Sequence, residues 1–185
     1  MEDDKIIELF FERSEQAIKE LSNKYGHICE RVANNILNNR SDSEECVNDA
    51  YLGVWNTIPP QKPNPLLSYV CRIVRNTALK RYHSNTAQKR NSTYDIALDE
   101  IAECFSSSTS VEDEAEANEV AAIINAFLEA LDEKSRIMFV RRYYYADSIE
   151  DIAGLFNTSR HYVSVKLSRI RKALKKHLIN EGVYI

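Results

Sequence analysis

Residues 148–180 read SIEDIAGLFNTSRHYVSVKLSRIRKALKKHLIN, and this stretch decides the fold of the C-terminal part of the chain. Ser148 with Asp151 three residues later forms a capping box, with Asp in the usual Glu place. It opens a short helix buried through Ile149, Ile152, Ala153 and Phe156. Asn157 suits a left-handed turn residue, and Thr158 or Ser159 can cap a new helix. Val163, Leu167, Ile170, Leu174 and Leu178 then recur every three or four residues, which is one apolar stripe. Ala153 is small where the two helices must cross closely. The pattern is a helix-turn-helix.

The same stretch is chemically biased. Residues 152–180 hold seven Lys or Arg and no Asp or Glu, in a chain of net charge -4 and pI about 5.7. A second helix whose first turns present Ser159, Arg160, His161, Tyr162, Ser164 and Lys166 is what reading a major groove requires. Arg169, Lys172 and Lys175 continue the basic side, suited to phosphate. The blander alternative is a helical hairpin with a cationic outer face.

Charge is segregated along the rest of the chain. Residues 1–49 carry 6 basic and 12 acidic side chains, residues 50–94 carry 7 and none, and residues 95–119 carry none and 9. Two acid-free blocks therefore flank an acidic one. Both suit polyanion contact, because each phosphate met by Lys or Arg releases counterions.

With 185 residues, 44% hydrophobic, the chain is long enough for one domain or two small ones around real cores. No apolar run reaches the length of a membrane span, and the acidic start MEDDKIIELFFER does not read as a secretory signal. The expectation is a cytoplasmic protein without membrane insertion. Cys29, Cys46, Cys71 and Cys104 are scattered, so neither a disulfide framework nor a zinc site is indicated. Nothing in the sequence calls for a cofactor or metal. No H-E-x-x-H, G-x-S-x-G or clustered His/Asp set supports an enzyme.

Glycine and proline are scarce and strand-like alternation is nearly absent, so the expected fold class is all-α. Ile6, Ile7, Phe10, Ala17, Ile18, Leu21, Tyr25, Ile28, Val32 and Ile36 follow helical spacing, with an interruption expected near Gly26. Further helices are expected over residues 42–56 and 66–82. Pro59, Pro60, Pro63 and Pro65 force an extended loop between them. Residues 93–118, with the Ser-rich run 106–110 and eight acids, read as a flexible acidic linker, with a short turn at Leu98 and Ile101. The expected domains are thus 1–92 and 119–185, joined by 93–118.

Two segments carry a family resemblance. The C-terminal IEDIAGLFNTSRHYVSVKLSRIRKALKKHL resembles region four of bacterial sigma factors, especially the short extracytoplasmic-function class, and ALDEKSRIMFVRRYY resembles the helix before it. Residues 42–55, DSEECVNDAYLGVW, resemble without a gap the region-two segment Asp-Ala-Glu-Asp-Leu-Val-Gln-Glu-Thr-Phe-Leu-Arg-Ala-Trp. SYVCRIVRNTALKRYHSNTAQKR, from Ser68, resembles the promoter-melting helix with its Arg-Asn-x-Ala core. The sequence departs from the pattern at Cys46 (usually Leu), Gly53 (basic), Tyr69 (Trp), Lys80 (mostly Asp) and Asn157 (Gly).

The resemblance implies a sigma factor with core RNA polymerase and promoter DNA as partners, and leaves room for an anti-sigma protein. Asp42, Glu45, Asn48 and Asp49 would meet the polymerase; Glu45, Asn48 and Asp49 share one helix face. Arg72, Arg75, Asn76, Lys80, Arg81 and His83, with Lys89 beyond them, would hold the proximal promoter element. The proline loop corresponds to one that pockets a flipped base. Ser159, Arg160, His161, Tyr162, Ser164, Lys166, Arg169, Lys172 and Lys175 would engage the distal element. The rival is a stand-alone helix-turn-helix regulator, which leaves residues 42–55 idle.

Overall fold

The computed structural model describes residues 1–84, 92–102, 104 and 114–183. The described residues form an all-helical chain in two compact units, Met1–Ser92 and Thr93–Ile185.

The N-terminal unit contains α1 (Asp3–Phe11), α2 (Gln16–Leu37), α3 (Arg40–Thr57) and α4 (Leu66–Ser84). Its core lies where α2, α3 and α4 meet. Leu21, Cys29, Val32, Ile36, Cys46, Val54, Val70 and Val74 are almost wholly withdrawn from solvent there. Burial on this scale contributes roughly 1.5–3 kcal/mol for each large apolar side chain. The interruption expected near Gly26 falls elsewhere: α2 runs through Gly26, and the break comes at residues 12–15, where Arg13 takes φ 56°. A Cβ on Gly26 would sit 3.4 Å from Ser22 Oγ and 3.5 Å from the Tyr51 hydroxyl, ordinary contact distances, so the helix continues through this position without a steric need for glycine.

Local chemistry sets the joints. Asn38, at φ 48°, ends α2, and Asn39 caps α3 by accepting from the Asp42 amide at 3.1 Å. Lys24 and Tyr25 each donate to the Asp3 carboxylate at 2.7 Å, pinning α1 to α2. Burial opposes the Asp3 charge, but these two donors prevail and hold the carboxyl below its ordinary range. Trp55 meets the edge of Phe10 at 6.0 Å, and Arg13 donates to the Trp55 carbonyl at 2.6 Å. The proline loop is anchored at both ends, because Ile58 and Leu66 are fully buried.

The C-terminal unit contains α5 (Thr93–Ala102), α6 (Glu114–Ala130), α7 (Glu133–Phe139) with a π-helical turn at Val140–Tyr144, α8 (Ile149–Leu155) and α9 (Arg160–Asn180). The short turn expected at Leu98 and Ile101 is a ten-residue helix, α5, within the stretch whose composition suggests a linker. Its ordering comes from packing: Ile101 and Cys104 join a cluster with Phe127, Phe139, Ile170, Leu174 and Leu178. The Ser-rich run 106–110 and Lys89 lie outside the described residues. A second cluster, Met138, Ile152, Ala153, Val163 and Leu167, holds α7, α8 and α9 together. The Ser148–Asp151 capping box is present, Asn157 takes φ 48°, and Ser159 caps α9.

The π-helical turn inserts a residue before the helix-turn-helix. The Tyr145 amide bonds the Val140 carbonyl at 3.1 Å, five residues back. Ala146 follows at φ 55° while fully buried, and Asp147 is turned inward to Arg141 at 2.8 Å. All four cysteines are buried thiols. Its hydrogen bond with Cys71, together with burial, pushes the Cys29 thiol far up, which suits a packing role.

Candidate functional site

The outer face of α3 is built by its period. Ser43, Cys46, Val47, Ala50 and Val54 point inward, which leaves Glu45, Asn48 and Asp49 exposed one turn apart. Leu52 continues this face and is 58% exposed, an apolar side chain that the core does not claim. Motif reading passes over Leu52 because its position is ordinarily apolar; only its exposure on this face marks it. Asp42 is half-buried in the first turn.

Arg81, on α4, reaches across to this face. Its Nη1 donates to Glu45 Oε2 at 2.9 Å and to the Asp42 carbonyl at 3.1 Å, and Nη2 stands 3.8 Å from Asp49 Oδ2. Its hydrogen bond holds the Glu45 carboxyl below the usual carboxylate range, and Glu45 in turn raises Arg81. Two groups that the sequence assigns to different partners are thus joined in one network.

The remaining basic side of α4 is more open. Arg72, Asn76, Lys80 and His83 are exposed, and Arg75 is half-buried. Arg72 lies over the Tyr69 ring at 5.3 Å, so part of its side chain is ordered. Asp49, Asn76, Thr77, Lys80, Arg81 and Ser84 line an open groove of about 540 Å³ between α3 and α4. The structure therefore brings Asn76 and Lys80 beside Asp49.

In the C-terminal unit, Arg160, His161, Tyr162, Ser164, Arg169, Lys172 and Lys175 lie on the exposed side of α9, opposite its buried stripe. Ser159 is engaged as the cap, accepting from the Tyr162 amide at 3.1 Å. Arg160 pairs with Glu150 at 3.6 Å with both side chains largely exposed, a contact that a stronger acceptor can displace. Lys166 is half-buried and stands 3.7 Å from Asp132. Sequence reading passes over Lys134. Its ammonium sits 5.4 Å from the rings of both Phe156 and Tyr162, beside the start of α9. No periodic signal reveals it, since it comes from a different helix.

Residues 21–88 match the family model for Sigma-70 region 2. The match lies within the N-terminal unit, which is therefore similar to region 2 of the sigma-70 family, a transcription initiation domain and not a catalytic one. Its role is in promoter recognition by RNA polymerase. A search of curated proteins found no match to the chain. Among the described residues no helix is long and apolar enough to cross a membrane.

Proposed function

We propose that the chain is a sigma factor of the extracytoplasmic-function type, with region two in its N-terminal unit and region four in its C-terminal unit. In this reading the α3 face of Glu45, Asn48, Asp49 and Leu52 binds core RNA polymerase. Arg72, Arg75, Asn76, Lys80 and His83 hold the proximal promoter element, and the proline loop receives an extruded base. The exposed side of α9 engages the distal element, with Arg160 for bases and Lys172 and Lys175 for phosphate. An anti-sigma protein that covers the α3 face is compatible with this use of it.

One observation supports the reading: a solvent-exposed polar face with an exposed leucine at its end, on a domain that matches Sigma-70 region 2. A stand-alone regulator has no use for that face. The test is transcription by purified core polymerase on a pool of DNA fragments from the chain's own genome. The expected result is start-site-specific transcripts that require the added chain. A dimer that binds duplex operators tightly by itself and yields no such transcripts would sink the proposal.

A further inference from the structure

We infer that Arg81 is a positioning residue for the polymerase-binding face rather than a promoter contact. This deepens the reading of the α3 face just given and rests on it. The Arg81 side chain is only 21% exposed. Its Nη1 donates to the Glu45 carboxylate at 2.9 Å and the Asp42 carbonyl at 3.1 Å, and Nη2 lies in ionic contact with Asp49 at 3.8 Å. A phosphate could claim Nη1 only by displacing a carboxylate and a backbone acceptor together.

Glu45 and Asp49 are themselves 65% and 57% exposed. One guanidinium therefore holds Glu45 by a hydrogen bond and Asp49 by a longer ionic contact, and both carboxylates still face solvent. A carboxylate has about four lone-pair sites, so engagement with Arg81 leaves sites for incoming donors. Two effects of opposite sign follow. The Arg81 charge offsets part of the attraction for a basic partner. Its hydrogen bonds remove rotamer freedom that binding would otherwise have to freeze. Exposed carboxylates are screened by water, which weakens the first effect, whereas the ordering cost of binding persists at any ionic strength. Positioning therefore wins, and losing it should weaken binding about three- to tenfold.

The experiment measures the affinity of the full chain for core polymerase in five forms. These are wild type, Arg81→Gln, Arg81→Lys, the neutral pair Glu45→Gln/Asp49→Asn, and that pair combined with Arg81→Gln. Holoenzyme binding to promoter DNA is titrated with salt in parallel. Arg81→Gln is expected to weaken core binding about three- to tenfold, and Arg81→Lys to regain part of it. In the neutral-pair background Arg81→Gln should add no further loss, which a general folding defect would not reproduce. The salt slope on promoter DNA should stay unchanged. Core affinity that is unchanged or tighter in Arg81→Gln overturns the inference. So does an equal loss in the neutral-pair background, or a salt slope reduced by about one unit, the mark of a lost phosphate contact. If the neutral pair itself binds core like wild type, the α3 reading fails and the Arg81 role falls with it. If the neutral pair is weakened and Arg81→Gln is not, only the Arg81 role fails.

Discussion

Arg160 is the residue at which the distal-element reading is most exposed to test. It opens α9, where the first turns of a recognition helix reach base edges. Among the described residues it is tied by the long, exposed pair with Glu150 at 3.6 Å, so little holds it back from a better acceptor. A bidentate contact from Arg to guanine discriminates by about 1–3 kcal/mol at one base pair. Arg160→Ala is therefore expected to relax specificity at a single position of the distal element, as read by binding to a randomised element pool. An unchanged preference at every position would refute base reading by this side chain. Lys172 and Lys175, exposed further along α9, differ in kind: a contact to phosphate weakens all sequences alike.

Helix α5 changes where the C-terminal unit begins. Glu100 accepts from Arg142 Nη2 at 2.8 Å and Nε at 3.2 Å, from the Tyr143 hydroxyl at 3.1 Å, and from Arg171 at 3.4 Å. Arg171 lies on α9 and also donates to Tyr143 at 2.7 Å, so one carboxylate ties α5 to the π-helical turn and to α9. Burial drives the Tyr143 hydroxyl well above its ordinary range, which keeps it a neutral donor in this network. Removing Glu100 would take one carboxylate from two poorly solvated guanidinium groups at once. Glu100→Ala is expected to destabilise the C-terminal unit by about 3 kcal/mol, the low end for a broken buried pair, since Glu100 keeps some contact with water. Chemical denaturation of the full chain, followed by a probe in α9, measures it. A loss below about 1 kcal/mol would mean that α5 is dispensable. The sequence hides this element for a physical reason. Its composition is that of a linker, and its partners lie 42 to 71 residues downstream. The helix-turn-helix is legible because its determinants are local: a capping box, a left-handed Asn157, and a stripe on one face. Arg81 and Lys134 share the fate of Glu100. Their chemistry is plain in the sequence, but their partners are set by packing between helices.

Across the whole molecule, the chain must do more than bind duplex DNA if it initiates transcription: it must hold a strand once the helix opens. The acid-free residues 50–94 offer charge for the DNA backbone, and the loop of residues 59–65 connects α3 to α4 along the chain. Its ends are fixed by the buried Ile58 and Leu66, and its prolines restrict the chain between them. A loop ordered in advance lowers the cost of capturing an extruded base. Extrusion itself costs a few kcal/mol in lost stacking, and no G-x-x-x-x-G-K-[ST] phosphate loop is present in the sequence to couple opening to nucleotide hydrolysis. Binding energy at such a pocket has to offset that cost. Replacing residues 59–65 by a short Gly-Ser link is therefore expected to leave polymerase binding and the closed complex near normal while blocking strand opening. A template mismatched in advance at the melting site should largely restore the open complex, because the unpairing energy is already supplied. Permanganate reactivity of promoter thymines, on paired and pre-melted templates side by side, reads both states. Equal reactivity of wild type and loop variant on the paired template would show that opening does not use this loop. A defect that persists on the pre-melted template would place the damage in α3 or α4 instead, in the surfaces that the loop joins.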